Sequence, residues 1–459
     1  MNSYPFDTTT DFTSKEKILL GYCCIFTILL SLNPVIYSFS GGVLTLLFAL
    51  ISALNPFSAL FYICSSGFTI PQAAGLPFMP AALIPFIGIV RLMDPESPKS
   101  FHGCQYLLAL LPLLLLSFLK YFHFPWGYVD LMLVAAITCC VLNQTKGQYF
   151  KVALVIALSM FSGPLGSWLN LFGFPVTLVQ HFRDGMIRWG GVRIDSVSMW
   201  FCCFLVFAGS CGVSMVKMAK TNNPQWVKTA LITIAAITFP LVMTFTNTSY
   251  FGFAVLLAIF IYHVVVWFPQ LRIKLFFDGG ITIIAIWCCL HFNFFNMQVY
   301  YREWINSYIT RLEDSGHQLG TRDVIFQHSI QRIAEYPWFG VPAGITDSPP
   351  ADWETMGYDY YLSHNVFLDI GRGLGIPGML AYALFVFMPV FIVRRRSSHE
   401  LWFPYLLMFF AALLFLNLLS FGGNKAYWCI WMAMTMSAAA LPEKNAETFH
   451  AKRLQIEKL

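Results

Sequence analysis

Residues 197–217 read VSMWFCCFLVFAGSCGVSMVK, with no charged side chain before Lys217. A helix of about 20 apolar residues crosses ~30 Å of hydrocarbon, so the stretch reads as a membrane span. Similar runs recur from Ile18 to Met436 with short polar breaks between them. That repetition excludes a soluble globule carrying one anchor. The composition agrees: over 459 residues, 57% are hydrophobic and only 11% are charged. The opening MNSYPFDTTTDFTSKEK has neither a basic n-region nor a small-residue cleavage site, so the first span is expected to be retained.

Working outward from that run, the hydropathy predicts spans over 17–34, 37–54, 56–70, 75–92, 104–120, 127–142, 150–172, 197–217, 226–245, 250–268, 275–295, 376–393, 402–420 and 425–441. The expected fold is an all-α polytopic membrane protein with about twelve to fourteen transmembrane helices. Asn55-Pro56 and the prolines at 71, 77, 80 and 85 interrupt the region 37–92. Such breaks are tolerated where neighbouring protein satisfies the backbone.

Lysine and arginine set the orientation. Lys15, Lys17, Arg91, Lys99, Lys146, Lys151, Lys217, Lys220, Lys228, Arg272, Lys274, Arg394, Arg395, Arg396 and the basic tail gather on one side, which is then the cytoplasm. Lys120 and Lys425 fall on the other. The chain divides into a cytoplasmic N-terminus (1–16), a helix bundle (17–295) with an outer loop near 173–196, a large outer loop (296–375), C-terminal spans (376–441) and a cytoplasmic tail (442–459). All twelve cysteines lie in or at the start of apolar runs, where a thiol is a small packing residue, and no metal site is expected.

The two outer loops carry Arg183, Arg188, Arg193, Arg302, Arg311, Arg322, Arg332 and Arg372 but no lysine. A guanidinium offers two parallel hydrogen bonds to phosphate or carboxylate, which suggests an outward-facing anion site. Ordinary surface pairs, such as Arg183 with Asp184, are the competing reading. In GTRDVIFQHSIQRIAEYPWFG (320–340), Val324, Ile325, Ile330, Ile333 and Ala334 fall at helical spacing, and Pro337 and Gly340 close the run. This predicts an amphipathic helix lying on the spans, with Arg322 in its first turn, a position that favours anions. The prolines, acids and aromatics of 344–361 suit either sugar stacking or a bilayer interface. Ser363-His364-Asn365 then precedes an apolar helix with Asp369 and Arg372 in its opening turns. A histidine there could take a proton near neutral pH, but spacing alone does not prefer His364 over His317 or His328.

Two segments together do. Arg322 and its helix, Pro337-Trp338-Phe339-Gly340-Val341-Pro342-Ala343-Gly344, then His364-Asn365-Val366-Phe367-Leu368 and Gly373-Leu374-Gly375-Ile376-Pro377-Gly378, resemble the O-antigen ligase and polysaccharide polymerase superfamily. The resemblance covers roughly 180–440. It implies a metal-independent, inverting glycosyltransferase of the C-type membrane architecture in the bacterial inner membrane, without cofactor, acting at the periplasmic face. The implied donor is an undecaprenyl-pyrophosphate-linked glycan. The acceptor is a lipid-linked repeat unit for a polymerase or the lipid A-core for a ligase. Membrane lipids and a chain-length regulator are further implied partners, and nucleic acid is not.

By position, Arg322 resembles the family arginine that engages pyrophosphate, and His364 the histidine that activates the acceptor or orients the donor, supported by Asn365. The family's mid-chain arginine is missing from Phe245-Thr246-Asn247-Thr248-Ser249-Tyr250-Phe251-Gly252. Arg188 and Arg193 in RWGGVRIDS are candidates to replace it, with Arg372 as a further substrate-binding residue. That absence and the long span count favour polymerase over ligase. A transporter is the alternative from another class, but the sequence shows no internal repeat and few mid-span charges.

Overall fold

A computed structural model of the chain describes residues 9–30, 39–68, 80–95, 103–121, 126–171, 178–183, 186–191, 196–221, 226–242, 247–267, 272–293, 322–342, 365–394, 403–419 and 425–441, and a few single positions between 298 and 309. Its helices follow the apolar runs, one to each, except that the last-but-two run is divided between two helices and one further helix lies in the large loop. They are α1 (Ser14–Leu30), α2 (Phe39–Ser52), α3 (Pro56–Phe68), α4 (Ile84–Met93), α5 (Leu111–Tyr121), α6 (Trp126–Gln144), α7 (Tyr149–Leu171), α8 (Ser196–Thr221), α9 (Trp226–Val242), α10 (Asn247–Trp267) and α11 (Arg272–His291). Then come α12 (Arg322–Glu335), α13 (Val366–Val386), α14 (Met388–Arg394), α15 (Phe403–Leu419) and α16 (Lys425–Ala440). Short 3-10 turns, Pro80–Leu83 and Cys104–Leu110, lead into α4 and α5.

The molecule is a helical, polytopic membrane protein, with two differences from the sequence reading. Among the described residues, only four segments are long and apolar enough to cross a bilayer alone: Cys104–Tyr121, Tyr149–Gly166, Met199–Met218 and Ser249–Val266. The pair α13 and α14, bent by 54°, makes a fifth. Several other apolar runs form shorter helices, such as α3 with 13 residues and α4 with 10, because hydropathy measures an apolar run and not how far its helix extends. The second difference lies in the first outer loop, where β1 (Leu178–Arg183) and β2 (Met186–Gly191) form an antiparallel hairpin with Leu178 opposite Gly191 and His181 opposite Arg188. Asp184-Gly185 between β-branched and aromatic residues is a hairpin signal that helical periodicity does not register.

The centre of the bundle is α8, whose Met199–Met218 window is 94% buried. Lipid tails are as apolar as leucine, so spans associate through close packing and hydrogen bonds. On α8, a Cβ at Gly209 would lie 2.6 Å from Ala153 O and Ala157 Cβ of α7, and one at Gly212 would enter the Tyr405 ring of α15. Small residues thus let three helices approach. Buried polar groups add specific ties: Tyr382 on α13 donates to Asn417 Oδ1 on α15, whose Nδ2 donates to Tyr427 Oη on α16 at 2.8 Å. Trp431 Nε1 donates to Phe385 O at 3.0 Å.

At the lysine-rich end, Thr13 and Glu16 cap α1 reciprocally, the Thr13 N–H donating to Glu16 Oε2 at 2.7 Å and the Glu16 N–H to Thr13 Oγ1 at 3.3 Å. Lys151 pairs with Glu16 at 3.2 Å and Lys217 with Asp11 at 2.9 Å. Arg91 is buried against Gln144, Asp94 and the Ala53 carbonyl. Lys151 and Lys217, which the charge map put on one side, therefore meet the same N-terminal segment.

Candidate functional site

Helix α12 forms where the amphipathic pattern predicts, with a different face inward. Ile325, Ser329 and Ile333, spaced by four, are buried, whereas Ile330 is 56% exposed and Ala334 is exposed. A helix docked along one i, i+4 row leaves the neighbouring apolar positions outside. Arg332 pairs with Glu335 at 2.9 Å, so the plain ion-pair reading holds for that arginine. Pro337 ends the helix, and the chain turns tightly as the Gly340 N–H donates to Tyr336 O at 3.1 Å.

Helix α13 starts with Asn365 as its N-cap, the Oδ1 accepting from the Leu368 N–H at 3.2 Å. It breaks at Gly375, where φ is 73° and ψ is −173°. That conformation is essentially confined to glycine. In an unbroken helix the Ile376 N–H would donate to Arg372 O, and Gly373 O would accept from residue 377, which is proline and has no N–H.

The turn after α12 fills these vacated positions. The Ile376 N–H donates to Pro337 O at 2.7 Å, and the Val341 N–H donates to Arg372 O at 2.9 Å. Lys120 Nζ, near the end of α5, donates to Val341 O at 2.6 Å and to Gly373 O. The fit leaves no room for side chains: a Cβ on Gly375 would lie 2.5 Å from Pro337 O, and Gly340 (φ 67°) sits directly against the backbone of Arg372 and Gly373. A Cβ on Gly371 would lie 2.7 Å from Ile333 Cδ1. The end of α12 thus meets Gly371, Pro337 reaches forward to Gly375 and Ile376, and Gly340 and Val341 return to Arg372 and Gly373.

The two sequence motifs are therefore one structural unit. Of the predicted site residues, Arg322 is the first residue of α12 and Arg188 lies on β2. Asn365 caps α13, and Arg372 lies 3.7 Å from Asp369 on the same helix, with a largely buried side chain. His364, Arg193, His317 and the stretch 344–361 lie outside the described residues. Lys120 was legible only as a topology charge, although a lysine ending an apolar run on the arginine-dominated side is the outlier that could have drawn notice.

This is a multi-pass membrane protein in which a surface helix and a broken span are joined through glycines and exchanged backbone hydrogen bonds. Residues 230–383 match the family model described as O-antigen ligase (Wzy_C), which supports the O-antigen ligase and polymerase superfamily for this chain. The matched stretch runs from α9 into α13 and contains both motifs. The match supports a ligase- or polymerase-type role in polysaccharide assembly. No curated protein matches the chain.

Proposed function

We propose that the protein transfers glycan from an undecaprenyl-pyrophosphate-linked donor to an acceptor at the periplasmic face of the inner membrane, as an O-antigen or exopolysaccharide polymerase. The observation that carries this reading is the locked junction of Pro337–Val341 with Arg372–Ile376 inside the matched stretch. It fixes the far end of the helix that Arg322 begins and the body of the helix that Asn365 caps.

In this mechanism an acceptor hydroxyl attacks the anomeric carbon, and the bond from that carbon to the pyrophosphate oxygen breaks with inversion. His364 takes the hydroxyl proton. Arg322, at a helix start where free N–H groups also favour anions, stabilises the charge developing on the leaving diphosphate. Arg188, Arg193 and Arg372 supply further positive charge along the donor, and no metal is required. Asn365, through its cap, orients the backbone that carries His364.

Ligation to lipid A-core is the second reading, favoured by the description of the matched family. A surface-polysaccharide profile of a deletion strain, complemented with wild type or His364→Ala, separates the two. A single repeat unit on the core means polymerase. Uncapped core with accumulated lipid-linked polymer means ligase, and an unchanged ladder overturns transfer for that glycan.

A further inference from the structure

We propose that Lys120 is a positioning residue for the transfer site, locking the turn after α12 to the break in α13; this rests on the transfer reading above. Lys120 lies outside the matched stretch 230–383, on a helix that shares none of the motifs. Its ammonium nevertheless bridges the two, donating to Val341 O on one segment and Gly373 O on the other.

Pro377 leaves Gly373 O without its helical donor, and the positive φ of Gly340 and Gly375 puts both carbonyls within reach of one cation. An unpaired carbonyl at membrane depth is costly, and a cation at the C-terminal end of a half-helix is favoured electrostatically. Tyr121 adds a long contact, its hydroxyl 3.5 Å from Gly373 O. An ammonium has three donors, so one group can serve both carbonyls. The two backbone bonds between the segments remain without Lys120, so its loss should loosen the junction without unfolding the bundle.

The test uses the full-length protein in proteoliposomes with a lipid-linked repeat unit as donor, together with amide exchange of peptides containing Val341 and Ile376. Lys120→Met should insert normally, exchange those peptides at least tenfold faster and lower kcat at least tenfold, while KM for the donor stays within about threefold. Lys120→Arg, which keeps the charge and several donors, should restore both readouts. Should Lys120→Met fail to accumulate in membranes, Lys120→Gln, whose uncharged amide ends one bond short of the ammonium, is expected to show the same two losses. Unchanged exchange overturns the lock. Faster exchange with unchanged kcat overturns the positioning role. A wild-type protein that transfers nothing overturns the transfer reading alone, and the exchange result still decides the lock.

Discussion

Replacing Gly375 by alanine probes the junction most directly. Its φ of 73° with ψ of −173° is a conformation that costs a non-glycine residue roughly 1–3 kcal/mol. The new methyl group would also lie 2.5 Å from Pro337 O and 2.6 Å from Trp338 C, both backbone atoms with little freedom to withdraw. Overpacking of that kind costs about 1–3 kcal/mol, so Gly375→Ala should destabilise the protein by about 2–6 kcal/mol in all. Total stabilities are roughly 5–15 kcal/mol, so the loss is readily measured. The assay is unfolding in mixed micelles of rising SDS content, with Gly21→Ala as the control. A Cβ at Gly21 meets nothing within 4 Å, and alanine inside a helix is worth about 0.5–1 kcal/mol over glycine, so that variant should equal or exceed wild type. If Gly375→Ala unfolds together with wild type, the backbone exchange between the two motifs is not a feature of the folded protein.

The remaining predictions concern the bundle and the chemistry. Asn417→Leu removes the link between Tyr382 and Tyr427 and should cost about 1–2 kcal/mol in the same unfolding assay, with insertion unchanged. Arg322→Lys should reduce polymer formation severely on a surface-polysaccharide gel at normal protein levels, since one ammonium cannot reproduce the guanidinium fork; near-wild-type ladders would remove Arg322 from the site. His364→Ala should abolish transfer while His328→Ala and His317→Ala leave it nearly intact, and equal losses from all three would indicate a role in loop folding.

Much of this architecture was readable in the residues. Apolar runs located the helices, and Pro337 and Gly340 announced the end of α12. Asn365 is a side chain that suits an N-cap, and the motif order grouped Arg322 with Gly373–Gly378. What escaped the sequence depends on three-dimensional neighbours. The rotation of α12, which hides Ser329 and exposes Ile330, was settled by where Gly371 admits Ile333. Span lengths escaped because a largely apolar run such as Pro56–Phe68 can still make only a 13-residue helix. Lys120, far from either motif in sequence, shows its role only once Pro377 is seen to leave a carbonyl that another element must serve. The hairpin has a signal of another kind, Asp184-Gly185 between two short strands, to which a helical period is blind.

The junction also bears on how a family of such proteins could diversify. Val341 is bonded to Arg372, and Asn365 lies seven residues earlier on the same half-helix, a distance of about 10 Å along its axis. The intervening stretch 343–364 thus leaves and re-enters the fold at nearby fixed points. Between two such fixed points, doubling the length of a connection adds only about 0.6 kcal/mol in closure entropy. Insertions and rewritten sequence between the two motifs can therefore accumulate almost without thermodynamic penalty, so recognition of new sugars could evolve there while the helices carrying Arg322 and Asn365 stay in register.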